Sequence, residues 1–283
     1  MVRRVTFGAF EGNSAVSDTP MVIYAIKPNG DLQWYRHDGW QDGSGAWTAG
    51  GGGVTVNSGW EIYSTVLCGY DGVMYGIKPN GDMHWFRHQG WREGTNAWAG
   101  GPSGIKVGTG WQSYATVLHG PGDVIYAITP TGDMQWYRHD GSQTGSQEWT
   151  AGGGGIRVGT GWNSYSTVFF GSSAHIGGYA DPDIPRMLYA VTPNGDLQWY
   201  RHDGWQDGGQ EWTAGGGGKK VATGWTYGQS FGGYFGVLYG IRPNGDLQWY
   251  RHDGFRDGSP QWTAGGGGKT VGTGWNSYTK VFS

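Results

Sequence analysis

The chain holds a single cysteine, Cys68, so no disulfide can form within it. In the segment 65–68 that thiol reads as a small buried hydrophobe. Charge is also scarce, at 14% of residues with a net −3 and both signs interspersed. That excludes the basic footprint of a nucleic-acid binder and gives no electrostatic reason to bind an anionic membrane. The longest apolar runs are short strand-like pieces such as MVIYAI (21–26), so no membrane insertion is expected. The N-terminus, MVRRVTFGAFEG, lacks the apolar stretch and cleavage site of a secretory signal. The expectation is a protein that is cytoplasmic or released without a standard signal. No helical period of adequate length occurs, nor any nucleophile elbow, phosphate loop or dinucleotide fingerprint in a strand–helix context.

Glycine and aromatics fill the space that charge leaves. There are 59 glycines, 18 tryptophans and 17 tyrosines in 283 residues. A glycine content this high borders on low complexity, but these glycines are periodic and the aromatics offer ample surface to bury. The stretch DLQWYRHDGWQDGSGAWTAGGGG (31–53) returns at 82–104, 133–155, 196–218 and 246–268. Its first tryptophan falls at Trp34, Trp85, Trp136, Trp199 and Trp249, in steps of 51, 51, 63 and 50 residues. Such self-similarity means one supersecondary unit packed on its own copies. Units of this size cannot each bury a core, so residues 1–283 form one domain of five repeats.

Each unit divides into four strand-like segments bounded by Gly, Pro, Asn or Asp. The third strands lie near 32–37, 83–88, 134–139, 197–202 and 247–252. The PNGD sequences (28–31, 79–82, 193–196, 243–246, with TPTGD at 129–133) read as tight hairpin turns, and their Asp as a turn-stabilising acceptor. In the third strand, Trp34 and Arg36 point one way while Gln33, Tyr35 and His37 point the other. Bulky side chains on both faces fit a sheet sandwiched between two neighbours. The fold class is therefore all-β: a five-bladed β-propeller of four-stranded antiparallel blades. The first strand occurs six times, at 2–8, 62–69, 113–120, 164–171, 227–232 and 277–283, one more than the blades need. Ring closure by the terminal strands follows. The C-terminal copy, with its full GWNSY lead-in, is the favoured closing strand, and 2–8 an extra edge strand or a contact to another chain. The 63-residue step comes from an insertion, 172–186, read as a surface loop.

The loop between the third and fourth strands carries the chemistry. It sets Asp38, Asp140, Asp203 and Asp253 beside an aromatic, Trp40, Trp91, Trp205 or Phe255, and ends on Trp47, Trp98, Trp149, Trp212 or Trp262. An aromatic face beside fixed donors and acceptors suits a sugar ring, whose C–H face stacks while its hydroxyls hydrogen-bond. The competing reading is that the mid-loop aromatics wedge into the grooves between blades and only pack. The second tryptophan is open between ligand platform and blade packing. Unit three departs with Ser142, and unit two with Gln89 and Pro102-Ser103. The periodic histidines (37, 88, 139, 202, 252) stand about a blade apart, and no HxH or CxxC spacing occurs, so neither a metal site nor a cofactor is expected. Five equivalent Asp residues in one environment do not make an acid/base pair, so no catalytic residue is assigned.

Taken together, GTGWNSYSTVFFG (159–171), MLYAVTPNGD (187–196) and GWNSYTKVFS (274–283) resemble the tachylectin-type five-bladed propeller lectins, in register over nearly the whole chain. The resemblance implies a non-catalytic, multivalent lectin. Its implied ligands are N-acetylated sugars, N-acetylglucosamine or N-acetylgalactosamine, at one site per blade in pockets between adjacent blades. Where that family has an Asp-Asn pair before its loop tryptophan, this chain has Gly45-Ala46, Asn96-Ala97, Gln147-Glu148, Gln210-Glu211 and Pro260-Gln261. The expected partners are glycans or glycoconjugates, with no nucleic acid and no membrane insertion; a monomer is expected, with an oligomer left open. The alternatives are a protein-interaction scaffold on the same rim and, further off, a glycosidase in the central channel.

Overall fold

The structure is a computed structural model that describes residues 20–171, 175–176, 179–180 and 187–283. Five antiparallel sheets form a ring. Blade one comprises Met21–Ile26, Leu32–His37 and Val54–Asn57, with Lys280–Phe282 as its innermost strand. Blade two runs Thr65–Cys68, Val73–Ile77, Met83–His88 and Ile105–Gly108, with the short Trp98–Ala99 pairing beside it. Blade three is Thr116–His119, Val124–Ile128, Met134–Arg138 and Ile156–Gly159. Blade four is Thr167–Gly171, Met187–Val191, Leu197–Arg201 and Lys219–Ala222. Blade five is Gln229–Gly232, Val237–Ile241, Leu247–Arg251 and Lys269–Gly272.

The C-terminal strand closes the ring, pairing Tyr24 with Phe282, Ala25 with Val281 and Ile26 with Lys280. The copy at 2–8 and most of the 172–186 insertion lie outside the described residues. Within the insertion, His175–Ile176 pairs with Tyr179–Ala180.

The second strands are buried along their whole length. That is the signature of a sheet with a neighbour on each face, and it explains why the third strands do not alternate apolar with polar. The core is accordingly divided into five apolar clusters, each shared by two consecutive blades. Trp34 belongs to the interface of blades one and two, and Tyr35 to that of blades five and one.

In the hairpin turns only the glycine takes a left-handed φ, +85° at Gly30 and +83° at Gly195. Asn29 acts through its side chain instead, donating Nδ2 to Asp31 Oδ2 at 3.0 Å. The turn Asp also holds the outer strand of its own blade, as in Lys106–Asp82 and Lys220–Asp196 at 2.6 and 2.9 Å. A register shift recurs where each third strand meets its outer strand, after Leu32, Met83, Met134, Leu197 and Leu247. This fivefold bulge bends each outer strand at the same point.

Candidate functional site

Each third strand delivers three groups to the blade interfaces. Its buried tryptophan donates Nε1–H to the backbone carbonyl at the mid-loop aromatic position of the following blade. The partners are Trp34 to Trp91, Trp85 to Ser142, Trp136 to Trp205, Trp199 to Phe255 and Trp249 to Trp40, at 2.6–2.9 Å. Its histidine Nδ1 meets a tyrosine hydroxyl of the preceding blade: Tyr239–His37, Tyr24–His88, Tyr75–His139, Tyr126–His202 and Tyr189–His252, all 2.6–2.7 Å. The histidine Nε2 donates to a carbonyl of its own loop, as His37 does to Ser44 at 2.8 Å. The Tyr–His bond then needs Nδ1 as acceptor and the phenol as donor. All five loop histidines are buried, and burial lowers their pKa from the ordinary value and keeps the rings neutral.

These bonds locate the residues expected from the sequence. Trp40 and Phe255 are only 4% and 8% exposed. Trp40 packs against Tyr234 and Phe235 of the blade before it. The expectation that they stack on a sugar is therefore corrected: the fold spends them as wedges between blades. Trp91 and Trp205 hold the same place half-buried, and the Arg92 guanidinium stands 4.5 Å over the Trp91 ring. Ser142 is equally buried in unit three and bonds Asp123 instead.

Asp38, Asp140, Asp203 and Asp253 are exposed, and each accepts from a threonine hydroxyl ten residues on: Thr48, Thr150, Thr213 and Thr263. Arg36 and Arg201 pair with Asp38 and Asp203 at 2.8 and 2.7 Å. These carboxylates fasten the long loop back onto its own strand.

The second tryptophans sit differently. Trp47, Trp98, Trp149, Trp212 and Trp262 are all half-buried at the junction of two blades. Each lays one face on its unit's histidine, with centroids 4.4–4.6 Å apart. Each donates Nε1–H to the outer strand of the preceding blade, at Val271, Val56, Val107, Val158 and Val221. The indole is thus fixed in place with its polar atom spent, leaving a rigid aromatic surface at the junction.

Around Trp262 this makes a groove of about 280 Å³. Its walls are the glycine turn Gly265-Gly266 and the connecting segment Thr223-Gly224-Trp225, with Tyr227 and Tyr250 also lining it. A groove of about 230 Å³ between blades one and two is lined by the equivalent Gly59, Trp60, Tyr63 and Phe86 together with Lys78 and Pro102-Ser103, and Trp98 is not part of its lining.

Two features of the groove were not legible as site features. Its polar groups are a phenol pair. Tyr227 bonds Tyr250, and the same pairing joins Tyr35 to Tyr278, Tyr114 to Tyr137 and Tyr165 to Tyr200. Burial first, then the partner phenol, raises the pKa of Tyr35, Tyr137, Tyr200 and Tyr227, so they remain protonated donors. The sequence signal was the GW after each outer strand with a Tyr two or three residues on (GWEIY, GWQSY, GWNSY, GWTY, GWNSY), which also marks the strand phasing.

The second feature is strain in the glycine turn. Ala49, Ala151, Ala214 and Ala264 take φ of 54–60°, a left-handed conformation that costs a non-glycine residue about 1 kcal/mol or more. The next residue, Gly50, Gly152, Gly215 or Gly265, has open space where a Cβ would stand, as do Gly59, Gly110, Gly161, Gly224 and Gly274 of the connecting segments. Bare backbone therefore faces open space on both rims.

The central channel is of another kind. A cavity of about 290 Å³ is lined by innermost strands of all five blades, including Leu67, Leu118, Phe170, Phe231 and Phe282. Among the described residues lining it there is no Asp or Glu, so the carboxylate pair that a channel glycosidase needs is not found there.

A five-bladed ring whose blade junctions repeat the same tryptophan–histidine stack defines the class: a repeat-built β-propeller. The chain belongs to the Tachylectin family, whose model matches residues 3–167 and again 103–283. No curated protein matches it in sequence. A symmetrical protein from work on de novo evolutionary emergence shares the fold, with TM-score 0.57 and 18% identity over 93% of this chain and 98% of that one. An arginine triple mutant of AofleA from Arthrobotrys oligospora gives TM-score 0.45 and 15% identity, covering 89% and 69% of the two chains. The six-bladed, fucose-recognising lectin of Aleuria aurantia gives 0.44 and 14%, covering 91% and 76%. Scores this low for the last two carry no functional argument.

Proposed function

We propose that the protein is a non-catalytic, multivalent lectin that binds N-acetylated sugars, N-acetylglucosamine or N-acetylgalactosamine, at the grooves between adjacent blades. The carrying observation is the groove itself: a rigid, half-exposed tryptophan, phenol hydroxyls and open backbone rims, repeated around the ring. A sugar stacks its C–H face on the indole, its hydroxyls exchange hydrogen bonds with the phenols, and an acetamido group reaches the backbone of a glycine rim. Membership of the Tachylectin family supports the same reading. The ligand platform is Trp47, Trp98, Trp149, Trp212 and Trp262. Asp38, Asp140, Asp203 and Asp253 hold the loop that presents it. Each groove is shallow and a single sugar binds weakly, while clustered glycans gain by avidity, ~10²–10⁴ over one site.

A glycan array with free N-acetylglucosamine as competitor tests this. Binding to clustered N-acetylated glycans, abolished by the free sugar, is the expected result. A blank on folded protein overturns the reading and favours a rim that binds protein.

A further inference from the structure

The groove between blades one and two is built differently from the others. Phe86 replaces the tyrosine that supplies half of each phenol pair, so the Tyr63 hydroxyl has no side-chain partner among the described residues. Lys78, half-buried, lines the same groove and makes no ion pair among the described residues. At the corresponding position Arg242 is tied to the phenol of Tyr227, and Thr129 and Thr192 turn their hydroxyls to backbone N–H groups of their own turns. Lys27 holds the same position in blade one, half-buried and without an ion pair among the described residues, but there the Tyr35–Tyr278 pair is intact. Among the described residues, this groove alone combines a released phenol with an unpaired cation.

The Ser103 carbonyl nearby is already used, while the buried His84 Nε2 has no partner among the described residues. His84, which stands where the other units have glutamine, occupies the Ser103 carbonyl through Nδ1 at 2.8 Å. Lys280 donates to the Tyr63 backbone carbonyl at 3.0 Å and is not among the residues that line the groove. The nearby carboxylate, Glu61, is stationed over Gly30 in the turn of blade one. A neutral hydroxyl both donates and accepts, and finds its match in a phenol pair. A free phenol beside an unpaired cation calls for a group that accepts and is negatively charged.

We propose that this groove takes a sugar bearing an acidic substituent, a carboxylate or a sulfate, while the other four take neutral sugars. The inference rests on the lectin reading above. Calorimetric titration of the full chain tests it with three probes: chitotriose, 6-sulfo-N-acetylglucosamine and a trisaccharide ending in N-acetylneuraminic acid. An acidic probe is expected to bind at one site per chain more tightly than chitotriose does, with affinity falling as salt rises. Lys78→Gln should weaken that binding about tenfold or more and leave chitotriose unchanged. Phe86→Tyr should also weaken it by recapturing the Tyr63 hydroxyl. Whichever acidic probe responds to these variants identifies the substituent. If chitotriose binds and neither acidic probe does better, or if Lys78→Gln is without effect, this inference falls and the lectin reading stands. If no probe binds, both fall.

Discussion

The five Tyr–His latches make stability a function of pH, with a sign fixed by the structure. Each loop histidine is neutral, buried, and bonded as acceptor to a phenol on the neighbouring blade, and burial lowers its pKa below the ordinary 6.5. The unfolded chain therefore binds protons that the folded chain refuses. Stability is fully present above pH 6.5 and is lost as pH falls below it toward the folded values. Within that window each latch contributes a slope of up to about 1.4 kcal/mol per pH unit. His119, which faces the channel yet is desolvated by its packing, is pushed down to about 4 and has the same sign. Its shift corresponds to at most about 3 kcal/mol, reduced by channel water. The carboxylates with shifted values, Asp42, Asp82 and Asp257, lie below their ordinary 3.8 and stay ionised above pH 5. Urea unfolding between pH 5.0 and 7.5 therefore isolates the histidines. The midpoint should fall steadily on the acid side of 6.5. His202→Gln should cost about 1–3 kcal/mol at pH 7.5, because it breaks the buried Tyr126–His202 hydrogen bond, and should flatten the acid slope. A midpoint that is constant or rises on acidification, or a slope unchanged in the variant, would refute the assignment.

Removal of residues 280–283 strips blade one of its innermost strand, with the bond from Val281 N–H to Gln229 and the burial of Val281 and Phe282. The expected loss is several kcal/mol, ~4, read as a lower denaturant midpoint, and an unchanged midpoint would show that the ring closes otherwise. Cys68 is half-buried in the channel wall and desolvation pushes its thiol up to about 12, so iodoacetamide at pH 8 should label the native protein far more slowly than a free cysteine. Rapid labelling of native protein would contradict that. Thr213→Ala frees one oxygen of the Asp203 carboxylate, the other staying on Arg201, and should cost at most about 1 kcal/mol, measured by urea unfolding. The reverse change Ala99→Thr should gain nothing, since Gln89 stands where Asp203 does.

The architecture was legible because local and global signals agree in this chain. Glycine at fixed offsets, the period near 50 and two bulky faces on each third strand admit few packings, and a surplus first strand called for closure by a terminus. The hairpin glycines and the turn Asp could be read from a few adjacent residues. The groove could not, because it joins pieces far apart in sequence: Trp47 bonds Val271, and Tyr35 bonds Tyr278. No local pattern announces a contact made only when residue 280 returns to residue 26.

Repetition itself explains why the RHDGW loop looked like a sugar site. A side chain the ring needs and a side chain a ligand needs both recur five times, so periodicity cannot separate them. Departures from the repeat can. Unit three puts Ser142 in the wedge position, yet it keeps the carbonyl that receives the Trp85 N–H and fills the space with a bond to Asp123. The ring's demand is met by other means, which marks the position as structural. In unit two Gln89 replaces the loop Asp just where Ala99 replaces its threonine partner, so a bond is lost whole. Asp and Thr therefore serve each other before they serve a ligand. The changes at Phe86 and Pro102-Ser103 follow another rule. His84 takes up the Ser103 carbonyl, but among the described residues no side chain takes up the Tyr63 hydroxyl, and the changes converge on one groove. Changes that the fold leaves unrepaired, gathered around a single cavity, are what a change of ligand would produce.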